Sequence, residues 1–207
     1  MRLRKLKDEK EILNNSKYVI SNPKDYKGKW NKIFNNSNPI YIEIGSGKGN
    51  FILNNALKYP NVNFIGIEKF DSPLCRAIKK IDNYELNNLK MIRIDAEELL
   101  DVFDKEIDLI YLNFSDPWPK DRHEKRRLTH SHFIEIFEKL FKNDKIIIQK
   151  TDNIKLFEYS LVSFVKNGFK LEEVNLDLHK EKDDNITTEY EEKFMDKGPI
   201  YRAVYKK

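Results

Sequence analysis

The residues best suited to chemistry in this sequence are carboxylates set beside glycines. In "IYIEIGSGKGNF", Glu43 stands two residues before Gly45, and Gly47 and Gly49 complete a G-x-G-x-G run. Glycine in such a turn permits positive φ and lets a ligand approach the backbone. The dinucleotide fingerprint is spaced G-x-G-x-x-G, and a carboxylate here would repel a pyrophosphate while suiting a cationic amino group. Glu68 closes "FIGIE" about twenty residues further on, where an acid binds a ribose hydroxyl pair in nucleoside-binding sheets. Asp95, after "IRI", can cap a helix and also serve as a third acid around a nucleoside.

A second constellation is "NFSDPWPKDRHEKRRL", residues 113–128. Pro117 and Pro119 restrict the backbone, so Asp116 and Trp118 are expected in a defined turn. A rigid aromatic beside a carboxylate can hold a planar base and hydrogen-bond its edge. Lys120, Arg122, Lys125, Arg126 and Arg127 then offer positive charge to phosphates. Taken singly, Pro-Trp-Pro reads as core packing and the charge run as a solvated face. Their adjacency is what favours a site. His130 and His132 lack supporting ligand spacing and are read as surface or capping residues, so no metal is expected.

Alternating elements must position these groups. "IYIEI" (Ile40–Ile44), "VNFIGIE", "LKMIRID", "IDLIYLNF" and "KIIIQKTD" read as strands. Helical stretches separate them, among them "SPLCRAIKKIDNY" with Pro73 in its first turn and "THSHFIEIFEKLF" with its apolar stripe. Successive βα units predict an α/β fold, a Rossmann-like parallel sheet with helices on both faces. "FKLEEVNLDL" and "PIYRAVYKK" read as strands with no evident helix between them, an antiparallel C-terminal hairpin at one edge. Residues 1–38 read as an arm packing on a main domain of residues 39–207. Ligands in such sheets bind beyond the carboxyl ends of the strands. The 113–128 segment leaves the carboxyl end of the fourth strand.

Composition narrows the class. At 207 residues the chain suits one domain with a real core. Its net charge of +4 is too modest for a simple nucleic-acid coat, so a local patch matters more than the total. A single cysteine, Cys75, excludes an internal disulfide and a cysteine-built zinc site. The start "MRLRKLKDEKEILNNSK" has no signal-like apolar run, and no stretch approaches a membrane span. A cytoplasmic protein without a membrane partner is expected.

The glycine turn with acids after three successive strands resembles class I S-adenosylmethionine-dependent methyltransferases. "DPWPK", "RHEKRRL", "KTDN" and "TEYEEKF", in that order, narrow the resemblance to the bacterial tRNA (guanine-N7-)-methyltransferase family. It spans roughly residues 40–205. It implies S-adenosyl-L-methionine contacts at Glu43, Gly45, Gly47, Glu68, Asp95 and Asp116, with Asp116 also catalytic. It implies substrate contacts at Lys120, Asp152, Thr188, Glu189, Tyr190 and Glu191, and an RNA-facing segment of Arg122, His123, Glu124, Lys125, Arg126 and Arg127. The partner implied is tRNA, the methylated base guanine 46 of the variable loop, and the assembly a monomer or homodimer. Two residues depart from the pattern: Asp121 stands where members commonly carry a basic residue, and Ser115 where many carry proline.

Guanine N7 bears a lone pair and no proton, so attack on a sulfonium methyl needs alignment and charge stabilisation rather than a base. A site rich in Asp and Glu, without a Cys or His nucleophile, fits that demand. Methylation of an exocyclic base amine and a non-catalytic RNA-binding module stay open as alternatives. A nicotinamide-dependent oxidoreductase is disfavoured by the glycine spacing.

Overall fold

The computed structural model describes residues 8–180 and 184–207. Strands β1 (Ile40–Ile44), β2 (Asn63–Glu68), β3 (Leu89–Arg93), β4 (Leu109–Asn113), β5 (Ile146–Thr151), β6 (Lys170–Asn175) and β7 (Tyr201–Lys206) form one seven-stranded sheet. Their order is β3-β2-β1-β4-β5-β7-β6, and β7 alone runs against its neighbours. The expected Rossmann-like sheet and its antiparallel end are both present. The final strand inserts between β5 and β6, so the hairpin joins the sheet through its second strand.

Strand order reverses between β1 and β4. The chain steps outward through β2 and β3, then returns to lay β4 on the other side of β1. The loops leaving the carboxyl ends of β1 and β4 therefore diverge and open a crevice between them. Glu43 on β1 and Asn113 on β4 face it from one side of the sheet.

Both faces are covered, which is why β2 is buried at every position. Ile42, Ile44, Ile110 and Leu112 point into a core with Phe133, Phe137 and Phe164. The last three come from α6 (Ser131–Glu138) and α7 (Ile154–Lys166), numbered after α1 (Glu9–Asn15), α2 (Trp30–Phe34), α3 (Asn50–Lys58), α4 (Asp71–Ile81) and α5 (Leu99–Val102). The opposite core joins Ile52 and Leu53 of α3 to Leu74 and Ile78 of α4.

Residues 8–38 wrap the β3 edge. Tyr18 is buried in the α3/α4 core and Trp30 in the other, where its indole N–H donates to the Val102 carbonyl at 3.0 Å. Between them Val19 makes a parallel bridge with Met91, and the Ile20 amide donates to the Met91 carbonyl at 3.0 Å. That contact covers an otherwise exposed sheet edge.

One expectation is corrected. A helix, α8 (Glu189–Phe194), does stand between the last two strands. Thr188 caps it, accepting from the Glu191 amide at 3.0 Å while the Glu191 carboxylate accepts from the Thr188 amide at 3.3 Å. The T-x-x-E signature of that box is in the sequence, but the surrounding polar run masks any apolar period. Among the described residues no helix is long and apolar enough to cross a membrane, and no His, Cys, Asp or Glu group could hold a metal ion.

Candidate active site

The glycine turn is tied to β2. The amides of Gly45 and Ser46 both donate to the Ile67 carbonyl at 2.9 Å. Gly47 adopts φ 56°, a left-handed value that a β-branched residue resists. A Cβ on Gly49 would lie 2.8 Å from Cβ of Ala77, so this glycine lets α3 and α4 pack closely. Glu68 fixes the turn from below. Its carboxylate accepts from the Gly47 amide at 3.0 Å and from the Phe70 amide at 2.9 Å. Each oxygen keeps a second lone pair for a ribose hydroxyl. Burial raises the Glu68 pKa, the backbone donors oppose that, and the negative charge of Asp116 adds to it.

Glu43 is buried and its pKa is pushed up to about 8, chiefly by burial and against the opposing Asn113 hydrogen bond and Lys150 charge. Asn113 donates to Glu43 Oε1 at 2.9 Å. The remaining oxygens, Glu43 Oε2 and Asn113 Oδ1, are buried without a hydrogen-bond partner. Two unsatisfied acceptors at the switch point suit a donor-only cation such as an ammonium group, and buried polar atoms of this kind call for such a partner. The residues thus fit the amino-acid end of S-adenosyl-L-methionine. Asn113 was missed in the sequence, where a polar residue closing the most apolar strand was its only signal.

Asp95 caps the turn before α5, accepting from the Glu97 amide at 3.2 Å, and pairs with Lys69. Burial disfavours its charge, but Lys69 and that amide outweigh it, so its pKa lies below the usual value. A carboxylate is thus kept ionised just beyond the carboxyl end of β3.

The "DPWP" turn carries real backbone strain. Of the four non-glycine residues with positive φ among the described residues, two flank Asp116: Phe114 at 50° and Trp118 at 42°. Such angles persist only where the surroundings over-determine them. Trp118 stacks on His123 with centroids 5.7 Å apart, and the Arg126 guanidinium lies 5.0 Å from the indole centroid. Asp116 and Lys120 are exposed, and residues Asp121–Arg126 form a 3-10 helix whose Arg122, Lys125 and Arg126 are also exposed. Asp121, the departure from the family pattern, opens that helix, where a negative charge suits the N-terminal amides. Arg127 differs from the free phosphate ligand expected. Its Nε donates to the Pro117 carbonyl at 3.2 Å and Nη2 to the Trp118 carbonyl at 3.1 Å.

Helix α8 forms the far wall. Glu189 pairs with Lys80 of α4. Tyr190 donates its hydroxyl to Asp152 Oδ2 at 2.9 Å and packs on Phe114 with centroids 5.0 Å apart. Burial, then Asp152, pushes the Tyr190 pKa up to about 12. Glu191 is fully buried, with Lys150 at 2.7 Å on Oε2 and His179 at 3.0 Å and Asn185 at 2.7 Å on Oε1. Its oxygens are engaged inside the protein, so it organises this wall; Asp152, Thr188, Glu189 and Tyr190 stand around it.

Residues 37–203 match a family model described as "Putative methyltransferase". The chain is 53% identical over 195 residues to the tRNA (guanine-N(7)-)-methyltransferase of Bacillus subtilis, covering 93% of this chain and 92% of that protein. It is 49% identical over 208 residues to the protein of that name from Lachnoclostridium phytofermentans, covering 99% and 97%. This chain belongs to the tRNA (guanine-N7-)-methyltransferase family. A solved structure titled "Structure of an antibiotic related Methyltransferase" superposes with a TM-score of 0.68 at 19% identity, covering 89% of this chain and 94% of that one. That likeness shows a class I methyltransferase fold.

Proposed function

We propose that this protein transfers a methyl group from S-adenosyl-L-methionine to N7 of a guanine in tRNA, at position 46 of the variable loop. The observation carrying this reading is the pair of unsatisfied acceptors, Glu43 Oε2 and Asn113 Oδ1, at the same sheet edge as the strained Asp116 turn. Bound there, S-adenosyl-L-methionine supplies an electrophilic methyl on a sulfonium. Glu43 and Asn113 hold its ammonium, Glu68 its ribose, and Asp95 the nucleoside side. Lys120, Asp152, Thr188, Glu189 and Tyr190 orient the guanine between the Asp116 turn and α8.

N7 has no proton to lose, so no residue acts as a general base. Asp116 favours the positive charge that develops on the purine, a fixed electrostatic contribution rather than a proton transfer. Arg122, Lys125 and Arg126 face the RNA backbone, with His123 and Glu124 in the same segment. The enzyme works in the cytoplasm, as a monomer or homodimer.

Mass mapping of tRNA after incubation with the protein and labelled cofactor tests the reading. Label on N7 of guanine 46 is the expected result. Label on an exocyclic amine, or on another nucleotide, overturns it.

A further inference from the structure

Arg127 lies at the end of the basic run, yet its surroundings differ from those of its neighbours. Arg122, Lys125 and Arg126 are exposed, whereas Arg127 is half-buried. Its guanidinium spans two consecutive carbonyls of the turn, Pro117 at 3.2 Å and Trp118 at 3.1 Å. One face lies 4.5 Å from the ring centroid of Tyr159 on α7. Burial first, and then the neighbouring Glu124 carboxylate, push the Tyr159 pKa up to about 12.

Trp118 cannot hold φ 42° without help, because in the left-handed region its Cβ crowds the following carbonyl oxygen. The two carbonyls that Arg127 holds belong to the residues immediately after Asp116. A planar fork bridging adjacent carbonyls fixes the peptide between them, and α7 anchors the fork. We infer that Arg127 is a positioning residue for methyl transfer: a clamp locking the Pro117–Trp118 turn that aims Asp116 into the crevice, rather than a ligand for tRNA phosphate. This rests on the function proposed above. A lysine cannot take its place, since an ammonium lacks the fork that reaches both carbonyls.

Arg127→Ala and Arg127→Lys in the full chain test the clamp, with Arg126→Ala as the contrast. The readouts are the single-turnover methylation rate at saturating tRNA and cofactor, tRNA affinity across a salt series, and acrylamide quenching of tryptophan. Trp30 is fully buried, so the neutral quencher reports on Trp118. Both Arg127 variants should lose at least about tenfold in transfer rate, as misplacement of a reacting group does. Quenching of Trp118 should rise, while tRNA affinity and its salt slope stay within error. Arg126→Ala should instead flatten the slope. A preserved transfer rate, or a loss confined to tRNA affinity with a shallower slope, overturns the clamp. If Arg127→Ala fails to fold, Arg127→Lys carries the same comparison. If the native protein methylates no tRNA guanine, the proposed function fails, and the quenching comparison, which needs no substrate, still decides the clamp.

Discussion

The Asn113 amide donates to Glu43 Oε1 at 2.9 Å, and each of the two side chains keeps one further oxygen buried and unsatisfied. This pairing spans the switch point, and burial there makes Glu43 proton-sensitive even though the Asn113 hydrogen bond opposes the shift. Its pKa is about 8 in the folded protein against 4.5 ordinarily, because burial disfavours the charge. The folded state therefore binds a proton that the unfolded chain has released. Stability from this source is full below about 4.5 and is lost as pH rises through about 8. Glu43→Gln should remove that decline, seen as a flatter denaturation midpoint across this window. Binding of an ammonium should also expel the proton near neutrality. Calorimetry of cofactor binding in buffers of different ionisation enthalpy should then show proton release in the native protein and none in the variant. Buffer-independent heats for the native protein would count against the assignment.

Glu68 holds the turn through the Gly47 amide, and the proposed function gives it the ligand's ribose as well. Glu68→Ala should weaken S-adenosyl-L-methionine binding by more than about tenfold, with tRNA affinity retained, because a charged hydrogen bond is worth about 1.5–3 kcal/mol. Gly47→Val should abolish cofactor binding, since φ 56° is unavailable to a β-branched residue without strain. Cofactor titration of folded variants decides both. Unchanged affinity in Glu68→Ala would remove that acid from the site.

Asp116→Asn keeps shape and loses charge. Turnover should fall about a hundredfold if a contact worth ~3 kcal/mol is lost, with little change in tRNA affinity. The single-turnover rate should also show no requirement for a base deprotonating near neutrality. A fully active Asp116→Asn protein would end the electrostatic role.

Removing the exposed arginines Arg122 and Arg126 should weaken tRNA binding and flatten its salt dependence, by about one slope unit or less per lost contact. Filter binding across a salt series measures this directly. An unchanged slope would make the run an ordinary solvated face.

Glu191 and Lys150 form a buried pair at 2.7 Å, and burial lowers the Lys150 pKa despite Glu191. Glu191→Ala leaves a buried ammonium without its counter-charge and should cost about 3–5 kcal/mol. The double variant Lys150→Met with Glu191→Leu should cost much less than the sum of its singles. Denaturant midpoints provide the test, and additive losses would deny the coupling.

The sequence by itself determined the parallel sheet, the glycine turn and the acids Glu43, Glu68 and Asp95. Each of these depends on local signals: β-branched runs, glycine where φ is positive, a carboxylate at a strand end. That proline would stiffen the Pro-Trp-Pro turn was legible, since proline fixes its own φ, but the left-handed φ of 42° at Trp118 was not, because a residue before proline favours extended backbone. Tertiary structure alone decided that Asn113 completes the Glu43 pair and that Lys150 meets Glu191, because residues 70 and 41 positions apart are brought together only by strand order and the return of α8. It also separated Arg127 from Arg126. The two are adjacent and chemically identical in the chain, but the backbone turns between them. One guanidinium lies over the Trp118 ring in solvent, and the other is held against two carbonyls and Tyr159.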